Sequence, residues 1–343
     1  MANGLAHTLR STRDLVDAGF ATDAAGLDAV ARRYAVAIPP ALARLVIHPD
    51  DPIGRQFVPH PDELLHAPHE HADPIGDDAH TPVPGIVHRY ADRALLKPLL
   101  ICPVYCRFCF RREHVGPDGG LLSDAALETA YAWLRDHPAV REVILTGGDP
   151  LMLSPRRLGE ILAALDAIPH LDTLRIHTRV PVADPARMAE LADVLDTQKP
   201  LWLVVHTNHA RELTEAAVAG LRHVQRRGVP VLGQSVLLRG VNDTTEALED
   251  LFRAMLAARI KPYYLHHLDA APGTARFHVP VAEGRALLAA LRGRVTGLAW
   301  PTYVVDIPGG HGKVPVGPDY LDGETLRGLD GAAHVLAAPG IRG

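Results

Sequence analysis

Cys102-Pro-Val-Tyr-Cys106-Arg-Phe-Cys109 holds every cysteine in the chain. Three thiolates spaced x3 and x2 cannot complete a tetrahedral metal site, and they cannot ligate all the irons of a four-iron cluster. A closed structural zinc site needs a fourth Cys or a nearby His. Three thiols within eight residues therefore suggest an iron–sulfur cluster whose fourth iron binds something other than protein. The plainer reading is three thiols with no joint role, which requires all three to have clustered by chance.

A parallel, strand-rich fold is expected around that loop. From Arg93 onward, apolar strand-like runs alternate with amphipathic helix-like runs. The strands are expected at Ala94–Ile101, Glu142–Thr146, Thr173–His177, Leu201–His206, Val229–Leu238 and Pro262–Leu268. Helical patterns lie near 123–136, 155–166, 185–196, 211–227, 244–258 and 281–292. Six βα units in succession imply a parallel sheet with helices outside. Strands this short and regular suit an α/β fold curled into a partial (β/α)6 barrel. Residues 1–88 read as a helical accessory region ending in a Pro/His/Asp-rich stretch. Residues 89–298 read as the barrel, and 299–343 as a C-terminal segment.

Composition narrows the function. The chain has 343 residues, 47 % of them apolar, and a net charge of −5. There is no basic run for nucleic acid or an anionic membrane, and no apolar segment approaches the roughly 20 residues of a spanning helix. The N-terminus lacks the apolar core of a signal peptide, and three unpaired cysteines argue against secretion. The expected location is cytoplasmic.

Polar residues gather at the C-terminal ends of the expected strands, where such folds carry their chemistry. They are the cysteine loop, Gly147-Gly148-Asp149-Pro150, His177-Thr-Arg179, His206-Thr-Asn208, Gln234-Ser235, and His266, His267 and Asp269. Any one of these could be an ordinary loop; six on one rim are harder to dismiss. Glycines at 147 and 148 let the backbone approach a ligand, and Asp149 could present an acid to an ammonium.

A second segment, Asp306-Ile-Pro308-Gly309-Gly310-His311-Gly312-Lys313, rings a lysine with glycines. It fails as a phosphate-binding P-loop, because no Ser or Thr follows the lysine and Ile307 stands where the first Gly should be. It works as a Schiff-base lysine, whose glycines admit a flat ring. The chain has only three other lysines, Lys97, Lys199 and Lys261. They fall within a strand, in a loop before a proline, and at the opposite barrel face. A glycine-rich turn with a solvated lysine is the plainer alternative. His60, His66, His69, His71 and His80 invite a metal reading, but without helical spacing they suit a solvated loop that covers the barrel mouth.

Taken together, these motifs resemble the lysine 2,3-aminomutase family, radical S-adenosylmethionine (SAM) enzymes that also bind pyridoxal phosphate. The similarity runs from about Asp73 to Tyr320 and includes Asp73-Pro-Ile-Gly-Asp-Asp and His88-Arg-Tyr90-Ala-Asp-Arg93. The resemblance implies a [4Fe–4S] cluster on Cys102, Cys106 and Cys109, with Gly147, Gly148 and Asp149 at the methionine end of SAM. His206 and Gln234 match positions near SAM and the cluster. Lys313 is then the pyridoxal phosphate lysine, and Tyr90 and Arg93 hold that cofactor and its phosphate. Arg111 matches the arginine that pairs with the substrate carboxylate, and Asp269 and Asp306 the acids that bind the far ammonium of lysine. The implied reaction moves the α-amino group of L-lysine to the β carbon. Alternatives are another amino acid substrate, or supply of β-lysine for elongation factor P, as in the family's short forms. The implied partners are an electron donor such as flavodoxin or ferredoxin and a second copy in a homodimer. No cysteine is left for the intersubunit zinc of the longer enzymes. His311 stands where the family often has Gly, and nothing in the sequence accounts for it.

Overall fold

The structure, a computed structural model, describes residues 5–329 and 331–335. Four short helices open the chain: α1 (Thr12–Asp17), α2 (Ala25–Arg33), α3 (Pro40–Ala43) and α4 (Gly54–Phe57). A hairpin follows, β1 (Ile86–Tyr90) and β2 (Arg93–Leu99), and then the alternating units begin. These are α5 (Asp124–Arg135), β3 (Glu142–Gly147), α6 (Pro155–Asp166), β4 (Thr173–Thr178), α7 (Val180–Ala183), α8 (Arg187–Leu191), β5 (Leu201–His206) and α9 (Glu215–Gln225). They continue through β6 (Val231–Val236), α10 (Thr245–Ala257), β7 (Lys261–His266), α11 (Val281–Leu291), β8 (Thr302–Asp306) and β9 (Lys313–Pro315). A small separate sheet, β10 (Leu321–Asp322), β11 (Thr325–Arg327) and β12 (Ala333–Val335), closes the described chain.

The nine strands of the main sheet lie side by side in chain order. β2 through β8 run parallel, and β1 and β9 are antiparallel edges. The sheet curls until its two ends touch, where the Lys313 backbone N–H donates to the Tyr90 hydroxyl at 2.7 Å. The six expected βα units are present in this incomplete barrel. Beyond them is a seventh parallel strand, β8, whose Thr-Tyr-Val-Val run is β-branched and legible as a strand. β1 runs across residue 88, so the sheet begins inside what reads as the accessory region.

Side chains on each strand alternate between two faces. Leu174 and Ile176 of β4 point outward into the core, while Thr173, Arg175 and His177 line a concave cavity. The outward face packs against Leu158, Ile161, Leu162 and Leu165 of α6 and Leu248, Leu251, Phe252 and Met255 of α10. Each such residue contributes roughly 1.5–3 kcal/mol through burial. Ser123, Ser154, Thr214 and Thr244 start α5, α6, α9 and α10, each accepting a backbone N–H three residues on. The pattern read as a helix over 185–196 yields only α8. Its last turn tightens into three-residue bonds such as Val194 N–H to Leu191 O (3.0 Å), although Met188, Leu191 and Leu195 stay buried.

The N-terminal helices form a second core against the cysteine loop, with Val104 inside it. A buried ion cluster fastens the two parts. Glu63, with no exposed surface, accepts from Arg107 Nε at 3.0 Å and Nη2 at 2.5 Å, and also from Arg112 Nη2. Arg107 donates onward to the Ala35 carbonyl at 2.9 Å. Burial alone would push the Glu63 carboxyl up, but the two guanidinium charges outweigh it and hold it below its ordinary value. Removing one partner of such a cluster strands buried charge. Glu63→Gln should therefore cost about 3–5 kcal/mol in urea denaturation of the metal-free protein. Glu160→Gln, at the surface, should stay within about 0.5 kcal/mol of the parent.

Candidate active site

The concave face of the sheet encloses a cavity of about 530 Å³. Lys313, Asp306, Asp269, Arg111, Gln234, Tyr90 and Arg93, all singled out in the sequence, line it. Lys313 opens β9 opposite Asp306, its cross-strand partner. Its amine donates to the Asp306 carboxylate and lies 3.3 Å from His266 Nδ1. The loop between them turns through three left-handed glycines, Gly309 (φ 82°), Gly310 (φ 86°) and Gly312 (φ 92°). A side chain at 310 would strike His80, whose Nε2 lies 3.2 Å from the Gly310 carbonyl. Gly310 thus serves close packing against His80. His311 is exposed, and nothing in the structure explains it.

Tyr90 ends β1 and Arg93 begins β2, so both belong to the hairpin. The Arg93 guanidinium stacks 3.8 Å from the Tyr90 ring centroid and donates to Asp92 at 2.8 Å. Arg111 reaches the cavity over Phe110, held through Nε and Nη2 by Asp77 Oδ2 at 3.1 and 2.9 Å. Asp77 also takes Arg89 Nη2 at 3.0 Å. Burial would raise the Asp77 carboxyl, but Arg111, Lys97 and Arg89 outweigh it and hold it down. Sequence reasoning assigned Asp77 no role, although Asp73-Pro-Ile-Gly-Asp-Asp contains it.

The two acids expected to read the substrate behave oppositely. Burial, followed by the nearby Asp306 charge, pushes the Asp269 carboxyl up to about 7. Burial would raise Asp306 as well, but His266, 3.8 Å away through Nδ1, and the bonded, charged Lys313 amine hold it well below the usual carboxylate range. His177 and His266 are held neutral, chiefly by burial, and the Nε2 of each is buried without a partner.

The cysteine loop joins β2 to α5. All three cysteines are free and half-buried. Burial, then neighbouring negative charge, raises the Cys102 thiol well above its usual range and the Cys109 thiol to about 11. Cys106 is raised too, against the opposing charge of Arg179. His206 ends β5 with its ring 5.7 Å from Phe108 of this loop, its Nε2 buried and unpartnered. Gly147 and Gly148 press on the chain entering the loop, the Gly148 N–H reaching Leu99 O at 2.8 Å and the Asp149 N–H reaching Ile101 O at 2.9 Å.

The Asp149 carboxylate, expected to face a ligand, has partners within the protein. It is buried and its oxygens are used, accepting from Thr178 Oγ1 (2.8 Å) and from the backbone N–H groups of Arg179 (2.6 Å), Leu151 (3.1 Å) and Val180 (3.2 Å). Its carboxylate clamps β3 to the end of β4.

The residues present fit the cofactors that the motifs imply. Three desolvated thiols lie on one loop, only Cys106 facing a positive side chain at hydrogen-bond distance, and the orphaned nitrogens of His177 and His266 face a cavity lined by a lysine. Among the described residues no His, Cys, Asp or Glu group gathers around a single metal ion. A four-iron cluster spreads its ligands over separate irons, so that geometry is not required of the cysteines. In the His-rich stretch, His60 caps a turn by accepting the Asp62 N–H, His66 pairs with Arg33, and His80 packs on Gly310.

A half-barrel carrying a three-cysteine loop at its strand ends defines a radical SAM enzyme, and residues 96–253 match the Radical SAM superfamily. Residues 288–327 match Lysine-2,3-aminomutase. The chain is 39 % identical over 297 residues to L-lysine 2,3-aminomutase of Clostridium subterminale, covering 85 % of this chain and 71 % of that protein. The Bacillus subtilis enzyme of that name is 36 % identical, covering 98 % and 73 %; the Escherichia coli one is 40 % identical, covering 78 % and 79 %. Among solved structures, Streptococcus suis SuiB bound to S-adenosylmethionine aligns with a TM-score of 0.48 at 13 % identity, over 66 % of this chain and 52 % of that one. The chain belongs to the lysine 2,3-aminomutase family, and it is an isomerase. Among the described residues no helix is long and apolar enough to cross a membrane.

The raised Asp269 carboxyl carries a pH signature. Unfolded, Asp269 ionises near 3.8; folded, near 7. Between those values the folded state holds a proton that the unfolded state has lost, so stability falls as pH rises through that window. Asp269→Asn should flatten that part of the profile of the cofactor-free protein. An unchanged slope in thermal or urea melts from pH 4 to 7 would remove the assignment.

Proposed function

We propose that the chain moves the α-amino group of L-lysine to the β carbon, with a [4Fe–4S] cluster on Cys102, Cys106 and Cys109, SAM at the strand ends and pyridoxal phosphate on Lys313. The observation that carries this reading is one cavity in which the Lys313 amine, two acids of opposed protonation and a tethered arginine meet. When bound, SAM on a reduced cluster supplies a carbon radical able to take hydrogen from an unactivated C–H bond, and pyridoxal phosphate supplies the conjugated carrier for the migrating nitrogen.

The chain's own residues bind, orient and exclude water. The stacked Tyr90 and Arg93 offer a flat face and a charge suited to a phosphorylated ring. Asp306 is the proton acceptor nearest the Lys313 amine. Asp77 occupies Nε and Nη2 of Arg111, which leaves Nη1 for a substrate carboxylate. At the other end, Asp269 and Asp306 line one cavity, and the charge of Asp306 makes ionising Asp269 costly. An ε-ammonium between them permits it, which favours a dibasic substrate over a neutral one. Backbone groups of Gly147 and Gly148, together with His206 and Gln234, are proposed to receive SAM. The expected setting is the cytoplasm, with electrons from a flavodoxin or ferredoxin.

Anaerobic protein reconstituted with iron, sulfide, SAM, pyridoxal phosphate and dithionite should convert α-15N-lysine to β-15N-lysine. Turnover of another amino acid but not lysine would overturn the substrate. Adding elongation factor P and its lysyl-transferring enzyme then separates a supply role from free β-lysine production. Borohydride reduction and peptide mapping should place the cofactor on Lys313; a label on Lys97, Lys199 or Lys261 sinks that assignment.

Asp269 is the cleaner probe of substrate recognition, because Asp306 also contacts Lys313. Asp269→Asn should cut lysine turnover about a hundredfold, as loss of one partner of a buried ion pair does. Residual turnover of alanine should change little. Equal losses on both would mean that Asp269 supports the loop and does not read the ammonium.

A further inference from the structure

We infer that Arg179 tunes the reduction potential of the iron–sulfur cluster through a charged hydrogen bond to the sulfur of Cys106. The inference rests on the cluster reading above.

Arg179 follows directly on β4 and is 5 % exposed. Its Nη1 lies 3.1 Å from Cys106 Sγ. Nη2 is fixed on the far side, donating to Gln56 Oε1 at 2.7 Å and Glu212 Oε2 at 2.6 Å. The guanidinium sits 4.8 Å from the Phe57 ring centroid and 5.6 Å from that of Phe108. Its backbone N–H is held by Asp149 at 2.6 Å. A planar fork pinned on two edges and flanked by rings cannot swing away from the sulfur.

The three cysteines are therefore not equivalent. Among the described residues no other side chain donates to Cys102, Cys106 or Cys109. Arg107 and Arg112, the other buried arginines of this region, spend their charge on Glu63 and direct no N–H at a thiol. Glu212 offsets the charge of Arg179 from the Nη2 side, but the donor that faces the sulfur remains the positive end.

Reduction adds one electron, [4Fe–4S]2+ + e− → [4Fe–4S]+, from a low-potential one-electron donor, and no proton moves. The sulfurs become more negative, so a cationic N–H in a water-poor site stabilises the reduced form more than the oxidised one. Arg179 thereby raises the potential and eases electron entry. A mere packing strut between Phe57 and Phe108 would lower cluster content on removal without moving the potential of the clusters that remain.

The test is a dithionite-poised EPR redox titration of anaerobically reconstituted protein without SAM, with iron and sulfide counted in each sample. In Arg179→Gln the ratio of reduced to oxidised cluster at the wild-type midpoint should fall about tenfold, a shift of about 59 mV. Arg179→Lys, which keeps the charge, should recover part of it. A wild-type midpoint in Arg179→Gln at full iron content overturns the inference. Should that variant fail to hold a cluster, wild-type protein grown on guanidino-15N-arginine decides by ENDOR of the reduced state. An arginine 15N coupling is expected, and its absence overturns the proposal. Wild-type protein that assembles no cluster would instead bring down the reading beneath it.

Discussion

Strand side chains alternate faces, and that constraint organises this molecule. In the parallel sheet from β2 to β8 one set of positions is apolar and meets the helices. The other set, including Arg175, His177, Gln234 and His266, faces a hollow. A parallel sheet is ordinarily covered on both faces. Here the inner face is left to polar groups, and curling the sheet turns it into a cavity. The contact between Tyr90 of β1 and Lys313 of β9 brings the two ends of the sheet together at the lysine.

Charge inside the protein divides into two kinds. Glu63 with Arg107 and Arg112, Asp149 with its hydrogen-bond donors, and Arg179 with Glu212 and Gln56 have partners within the protein, although the Nε of Arg112 and of Arg179 is left without one. They fix the cysteine loop to the N-terminal helices and to the end of β4. Around the cavity the balance is left open. Burial, and after it the Asp306 charge, pushes the Asp269 carboxyl up to about 7, and His177 and His266 keep buried nitrogens unpaired. Unsatisfied groups of this kind are costly in a finished core, and they concentrate where a ligand completes them.

The His-rich stretch between His60 and His80 illustrates the same division. As a sequence it suggested metal or solvent. In the fold it supplies Asp77 to Arg111, Ile75 to the cavity wall and Gly76 to the glycine loop beside Lys313. It joins the cavity wall through packing and ion pairs, and His60, His66 and His80 each take a partner within the protein.

The sequence alone determined the three-thiol loop, the six βα units and the glycine-ringed Lys313, because these are local. Spacing, period and left-handed glycines act within a few residues of chain. The seventh strand was equally legible in Thr302–Asp306, but it lay in a segment read as tail. Only tertiary structure decided that Asp149 spends its acid internally, that Arg111 is held by Asp77, and that Arg179 points at Cys106. The bonds from Thr178 and Arg179 to Asp149, from Arg111 to Asp77 and from Arg179 to Cys106 join residues 29 or more positions apart, at 2.6 to 3.1 Å. No periodicity encodes such a meeting. It is set by how far the sheet curls and by which buried charges the fold brings together.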